Sequence, residues 1–311
     1  ETNHGSECAM PCLRKSIVGF SVFVALITFW FMPPSWAGLI GNSTGANQDT
    51  FQLGVAALQQ ENYPLATAAF TQAIELNLKV AVSYSNRCLT YLVMDDYQRA
   101  IADCTQGIQL KPDNIEAYLN RGLAYYRSGS YQIAIADYDQ LLQLKADDYR
   151  GFYNRGLAKF ALGQHQAAIA DFDLGLKYSP SLPKIRMAEI YDYRGLAHLQ
   201  LADYEAAIAD FTQAVEFDQT DARAYFHRAR AYHRQRDYGI ALADFNQVLL
   251  LTPDHGRTYL NRGILLLQMG NSMQGIADLQ QAAQCFYQQG ETIANRRTLE
   301  LLEQLQEIHR T

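Results

Sequence analysis

The chain has 311 residues, of which 49% are hydrophobic and 19% charged, and its formal net charge is -6. This is the composition of a folded, soluble body and excludes a disordered, charge-dominated chain. Mild acidity argues against general nucleic-acid binding, which needs a broad basic surface.

Residues 1–46 differ from the rest. Arg14 and Lys15 precede an uncharged apolar run from Ser16 to Met32, and Pro33-Pro34-Ser35-Trp36-Ala37 follows. Ser35 and Ala37 suit the small-residue rule of a signal-peptidase site. Nothing charged occurs between Ser16 and Ala46, a stretch also long enough for a retained span. Residues 1–37 therefore read as a signal peptide or a membrane anchor, and 38–46 as a linker. On either reading the positive charges before the run predict export of the remainder, to a periplasm or lumen. Cys8 and Cys12 precede the apolar run and are no lipoprotein acylation site.

From Asn47 onward a pattern returns. Small residues fall at Gly54, Cys88, Gly122, Gly156, Gly195, Ala229 and Gly263, spaced by 34 except for one step of 39. A period of 34 holding two helical patterns predicts a helix–turn–helix solenoid. With the small residue as position 8, the repeats are 47–80, 81–114, 115–148, 149–182, 188–221, 222–255 and 256–289. In 115–148 the first helix reads IEAYLNRGLAYYRSG and the second SYQIAIADYDQLLQLK, with Gly129 between them. Small residues at positions 8 and 20 let the two helices approach, and an aromatic at 24 fills the gap. Pro112, Pro180 and Pro253 at position 32 end second helices. Pro183 to Met187 are five extra residues before the fifth repeat. With Ser181 as N-cap and Pro183 in the first turn they are expected to lengthen the next helix, and a bend there would give four repeats and then three. Residues 290–311 read as a solitary polar-faced capping helix.

This pattern resembles the tetratricopeptide repeat (TPR) family, on the aromatic at position 4 (Tyr84, Tyr118, Phe152, Tyr191, Tyr225, Tyr259), the small residue at 8, Ala at 20, the aromatic at 24 and the prolines at 32. The NRGLA and AIADF phrases are similar to TPR scaffold proteins of photosynthetic bacteria, where assembly of membrane complexes would be the context. The resemblance implies an all-α fold, a right-handed TPR superhelix of about seven repeats closed by a capping helix. It also implies a concave groove that holds a segment of a partner protein.

Two columns depart from the family. Position 7, usually apolar, is Arg in six repeats (Arg87, Arg121, Arg155, Arg194, Arg228, Arg262), and position 23 is Asp in the same six (Asp103, Asp137, Asp171, Asp210, Asp244, Asp278). The first repeat has neither, with Leu53 and Ala69 in those places, so the pair is expected within each repeat. Its role is structural.

No Gly-rich loop follows a strand pattern, the seven His have no metal-ligand spacing, and no catalytic constellation stands out. The expectation is a protein that is no enzyme and holds neither cofactor nor metal. Cys88 and Cys104 occupy positions 8 and 24 of the second repeat, where the helices of a TPR touch. They would form a disulfide or simply act as small core residues, and Cys285 is left unpaired.

Two contact zones follow from the family's groove positions. Arg223, His227, Arg230 and Arg234 share one face of a helix, with Arg257 and Asn261 beside them in the next repeat. Such a basic ridge suits an acidic peptide segment, a C-terminal carboxylate or another anion, unless Asp192 or Glu189 neutralises it. The second zone is Asn86, Asn120 and Asn154 at position 6, with Arg127 and Arg150 near and Leu89, Leu123 and Leu157 making the groove apolar between the amides. A chaperone-tail clamp would need Lys at position 5 and Asn at position 9, where this chain has Phe51 and Val55, or Ser85 and Leu89. The expected function is an exported scaffold or assembly factor for a partner protein, with membrane contact through the N-terminal segment and no nucleic acid. The alternative is a membrane-tethered spacer or self-associating element without a groove ligand.

Overall fold

A computed structural model describes residues 43–308 except residue 180. The signal-or-anchor segment, the first part of the linker and Pro180 lie outside the described residues. Among those described there are fifteen α-helices and no strand, and they fall into two compact units. The first unit, ending at Ala146, pairs α1 (Ser43–Gln59) with α2 (Tyr63–Glu75), α3 (Val80–Val93) with α4 (Tyr97–Leu110), and α5 (Ile115–Arg127) with α6 (Tyr131–Leu144). Helix α1 starts at Ser43, so the last residues read as linker are helical.

The second unit, from Asp147, pairs α7 (Tyr149–Ala161) with α8 (His165–Lys177), α9 (Lys184–Gln200) with α10 (Tyr204–Phe217), α11 (Ala222–Gln235) with α12 (Tyr238–Leu251), and α13 (Gly256–Gln268) with α14 (Ser272–Gln288). Helix α15 (Thr292–Ile308) packs on α14 and ends the stack.

Local chemistry sets these boundaries. Side chains of Asn62, Asp96, Asn114, Asp148, Asp203 and Asp221 accept from backbone N–H groups of the first turns of their helices, which would otherwise lack partners. Each turn from first to second helix uses a left-handed residue at position 15. Gly129, Gly163 and Gly270 supply it readily, whereas Glu61, Asp95, Ala202 and Arg236 adopt it at φ between 58° and 71°. Helices α4 and α12 stop just before Pro112 and Pro253.

Within four of the helix pairs the core is a glycine under an aromatic ring. A Cβ at Gly54, Gly122, Gly156 or Gly195 would lie 2.6, 2.6, 2.8 or 2.7 Å from the ring of Phe70, Tyr138, Phe172 or Phe211. At these four positions a methyl group would clash with the ring where it is seated. The alanines at position 20 (Ala66, Ala100, Ala134, Ala168, Ala207, Ala241) are all fully buried beside them.

The position-7 arginines tie this core into a stack. Each reaches the position-23 aspartate of its own repeat with two hydrogen bonds, for example Arg87 to Asp103 at 2.7 and 2.8 Å and Arg228 to Asp244 at 2.8 and 2.8 Å. Arg121–Asp137, Arg155–Asp171, Arg194–Asp210 and Arg262–Asp278 repeat the fork. The remaining terminal nitrogen reaches back to position 25 of the preceding repeat: Arg87 to Thr71 at 2.8 Å, Arg121 to Thr105 at 3.1 Å, Arg194 to Asp173 at 2.6 Å, Arg228 to Thr212 at 3.3 Å and Arg262 to Asn246 at 2.6 Å. The position-4 ring lies under each guanidinium, at 5.2 Å for Tyr191 and 5.7 Å for Tyr118.

The insertion before the fifth repeat lengthens a helix, as expected. Helix α9 has 17 residues against 13 in α7, and its N-cap is Pro183 instead of Ser181. It leaves the stacking intact, since α9 packs on both α8 and α10. The division of the chain accordingly falls between Ala146 and Asp147, not at residues 183–187.

Candidate partner-binding faces

Within each unit the first helices of successive repeats touch one another: α1, α3 and α5 in the first unit, and α7, α9, α11 and α13 in the second. They form a layer of their own, and the residues expected to meet a partner lie on it.

In the first unit this layer is largely closed. Leu89 and Leu123 are buried core residues, as is Asn120 at 5% exposure, while Asn86 keeps partial exposure. Arg127 is partly buried and pairs with Asp95 at 3.3 Å, and Asp95 also accepts from the Tyr97 hydroxyl at 2.7 Å. The apolar stripe between amides is thus packing, not an open groove. In the second unit Leu157 is 1% exposed, and Asn154 is buried with its amide donating to the Arg150 carbonyl at 2.8 Å. Arg150 is buried as well, forked onto the Asp148 carboxylate at 3.0 and 2.8 Å. Asn154, Leu157 and Arg150 are thus packed or hydrogen-bonded within the stack.

The basic ridge on α11 and α13 is more open, and part of it is neutralised. Arg223 forks onto the N-cap Asp221 at 3.1 and 2.9 Å, and that hydrogen-bonded carboxylate raises its pKa above the usual guanidinium value. Its side chain nevertheless remains 38% exposed. His227 Nδ1 lies 2.8 Å from buried Asp192 of α9, as the ridge's own counter-charge required. Glu189 instead binds Arg186 at 3.0 Å, and burial raises its pKa. Arg230 lies over the Phe226 ring at 5.8 Å, and Arg234 is exposed. Arg257 is 51% exposed with Glu291 at 3.7 Å, and Asn261 donates to the Arg257 carbonyl at 2.7 Å. His255, at the N-cap of α13, meets Phe226 edge-on at 5.2 Å, and burial lowers its pKa. The face therefore presents an exposed Arg234, a half-exposed Arg257 beside Glu291 and a partly exposed Arg230, with the Asp192–His227 contact on the same layer.

Cys88 and Cys104 are bonded to each other across α3 and α4, with Cα atoms 5.4 Å apart, and Cys285 is free and buried. Among the described residues no cluster of His, Cys, Asp or Glu could hold a metal ion, and no helix is long and apolar enough to cross a membrane.

Sequence reasoning missed the polar acceptors at position 25 and the Asp148–Arg150 and Asp221–Arg223 forks. The first recur every 34 residues as Thr71 and Thr105, and each fork shows as Asp two residues before Arg.

Tetratricopeptide repeat models match residues 89–143, 119–183 and 222–255, and a TPR repeat model matches residues 195–236. No curated protein matches the chain in sequence. Among solved structures it is similar to a tetratricopeptide repeat protein from Parabacteroides merdae ATCC 43184, with TM-score 0.63 and 18% identity over 82% of this chain and 99% of that one. It is also similar to the C-terminal part of a TPR repeat-containing protein from Cytophaga hutchinsonii, with TM-score 0.61 and 15% identity over 76% and 95% of the two chains. A third is YrrB, described as a TPR protein with an unusual peptide-binding site, with TM-score 0.52 and 18% identity over 63% and 97%. Identities this low speak to the fold alone, and the fold is the helix-pair stack that the period of 34 predicts. The chain belongs to the tetratricopeptide repeat family.

Proposed function

We propose that this protein is a non-enzymatic, exported scaffold that holds an acidic segment of a partner protein against the first-helix layer of its second unit. The observation that carries this is a contrast along the first helices. Asn120, Asn154, Leu123 and Leu157 are buried, while Arg234 is exposed, Arg257 is 51% exposed and Arg230 is partly exposed, on a protein of net charge -6. Arginine forks suit carboxylates and are enriched at interfaces. YrrB, on the same fold, is described as having a peptide-binding site. The Cys88–Cys104 disulfide supports export, because such bonds persist in oxidising compartments.

The test is capture of partners from the native extracytoplasmic fraction, with wild type against Arg230→Glu with Arg234→Glu. Arg223 is left in place because it braces the α11 N-cap. Expected is a partner held by wild type and lost by a variant of equal helix content. Partners retained equally by both would sink the basic face as the site.

A further inference from the structure

The arginines are not alone on their layer. Tyr193 occupies on α9 the repeat position held by Asn154 on α7 and His227 on α11. Its ring centroid lies 6.2 Å from Tyr153, 6.4 Å from Phe172 and 6.5 Å from Phe160. Tyr153 and Phe172 are buried and form the floor, while Phe160 and Tyr193 are partly exposed and form a ledge. The His227–Asp192 contact at 2.8 Å clamps α11 to α9 beside this ledge, and Arg223 of α11 stands within electrostatic reach of Tyr193. A rigid aromatic surface is thereby fixed next to a cationic one, which is the composition of an interface anchor pocket.

We propose that the Phe160–Tyr193 ledge seats an aromatic side chain of the same partner segment whose carboxylates meet Arg230 and Arg234. This rests on the scaffold reading above and adds a sequence rule to it. Neighbouring helix axes lie about 8–10 Å apart, and an extended peptide advances about 3.3–3.6 Å per residue. One such spacing separates Tyr193 on α9 from the arginines on α11, so the aromatic residue should stand about two to three residues from the acidic pair. An acidic peptide without a ring would satisfy the arginines and leave the ledge wet.

The probe is a displayed library of random dodecapeptides, selected on the full chain, on Tyr193→Ser, and on Arg230→Glu with Arg234→Glu. Wild type should enrich acidic peptides with an aromatic residue at that spacing. Tyr193→Ser should still select acidic peptides, lose the aromatic preference, and bind the best wild-type peptide about tenfold more weakly, roughly 1.4 kcal/mol. The double arginine variant should lose the acidic preference. Should Tyr193→Ser lose helix content, Phe160→Ser is read in the same way. Acidic peptides without a positioned aromatic, or an aromatic preference that survives both ledge variants, would overturn the ledge and leave the scaffold reading standing. No acidic enrichment on wild type would overturn the scaffold reading itself.

Discussion

At the scale of single residues, the six arginine–aspartate forks explain both where the columns occur and where they stop. A guanidinium has five N–H donors and must find acceptors when it leaves water. Position 23 of its own repeat supplies two bonds, and position 25 of the preceding repeat supplies another, as in Arg228 with Asp244 and Thr212. Among the described residues no second helix precedes the first repeat to offer a position-25 acceptor, and Leu53 stands there in place of arginine. Reading the paired columns as an ion pair inside each repeat was therefore possible from sequence. The third partner was not, because threonine, aspartate and asparagine at position 25 share an acceptor but no identity. Asp244 and Arg228 give the cleanest test, since Asp171 also binds Lys159 at 2.8 Å. Asp244→Ala should cost about 3 kcal/mol by leaving a part-buried cation unpaired, and Asp244→Ala with Arg228→Leu should cost less than the single change. Denaturant unfolding of the three proteins measures this, and equal losses would mean the fork contributes little beyond packing.

At the scale of the helix pair, one repeat fills its core with a cross-link. Four hairpins place a ring over a glycine, whereas α3 and α4 place a bonded Cys88–Cys104 pair, fully buried, at the same two repeat positions. The disulfide thus stands where those four have a large ring contact. Two separate thiols would fill less volume than a phenyl ring and leave the hairpin underpacked. Reduction by a dithiol should lower the stability of the native protein by about 2–4 kcal/mol, in line with loss of a native cross-link. Cys88→Gly with Cys104→Phe should recover much of that loss and make thermal unfolding indifferent to the reductant. A double variant as weak as the reduced wild type would show that the cross-link, not the filled volume, holds this repeat.

At the scale of the molecule, the period of 34 carried the architecture, because neither helix of a repeat buries its apolar face without its neighbours. The same sequence did not show which face stays open. Asn120, Asn154, Leu123 and Leu157 occupy the same repeat positions as His227, Asn261 and Arg230, yet they are buried. A helical position fixes direction, while coverage depends on how closely the next first helix approaches. The end of the stack is clearer: α15 would carry Arg296 and Arg297 at positions 7 and 8 of a further repeat, and both are exposed. An arginine at the position that must be small keeps a second helix from docking on α15 as it does within a repeat. Stability in such stacks is nearly a sum of neighbour terms, so a local injury should stay local. Reducing Cys88–Cys104 should therefore speed amide exchange in α3, α4 and the helices packed on them, α2 and α5, while α11 to α14 keep their native rates. Hydrogen-exchange mass spectrometry with and without reductant reads this directly. A uniform acceleration along the chain would instead mean that the helices unfold as one cooperative body and that the sum-of-neighbours account fails for this protein.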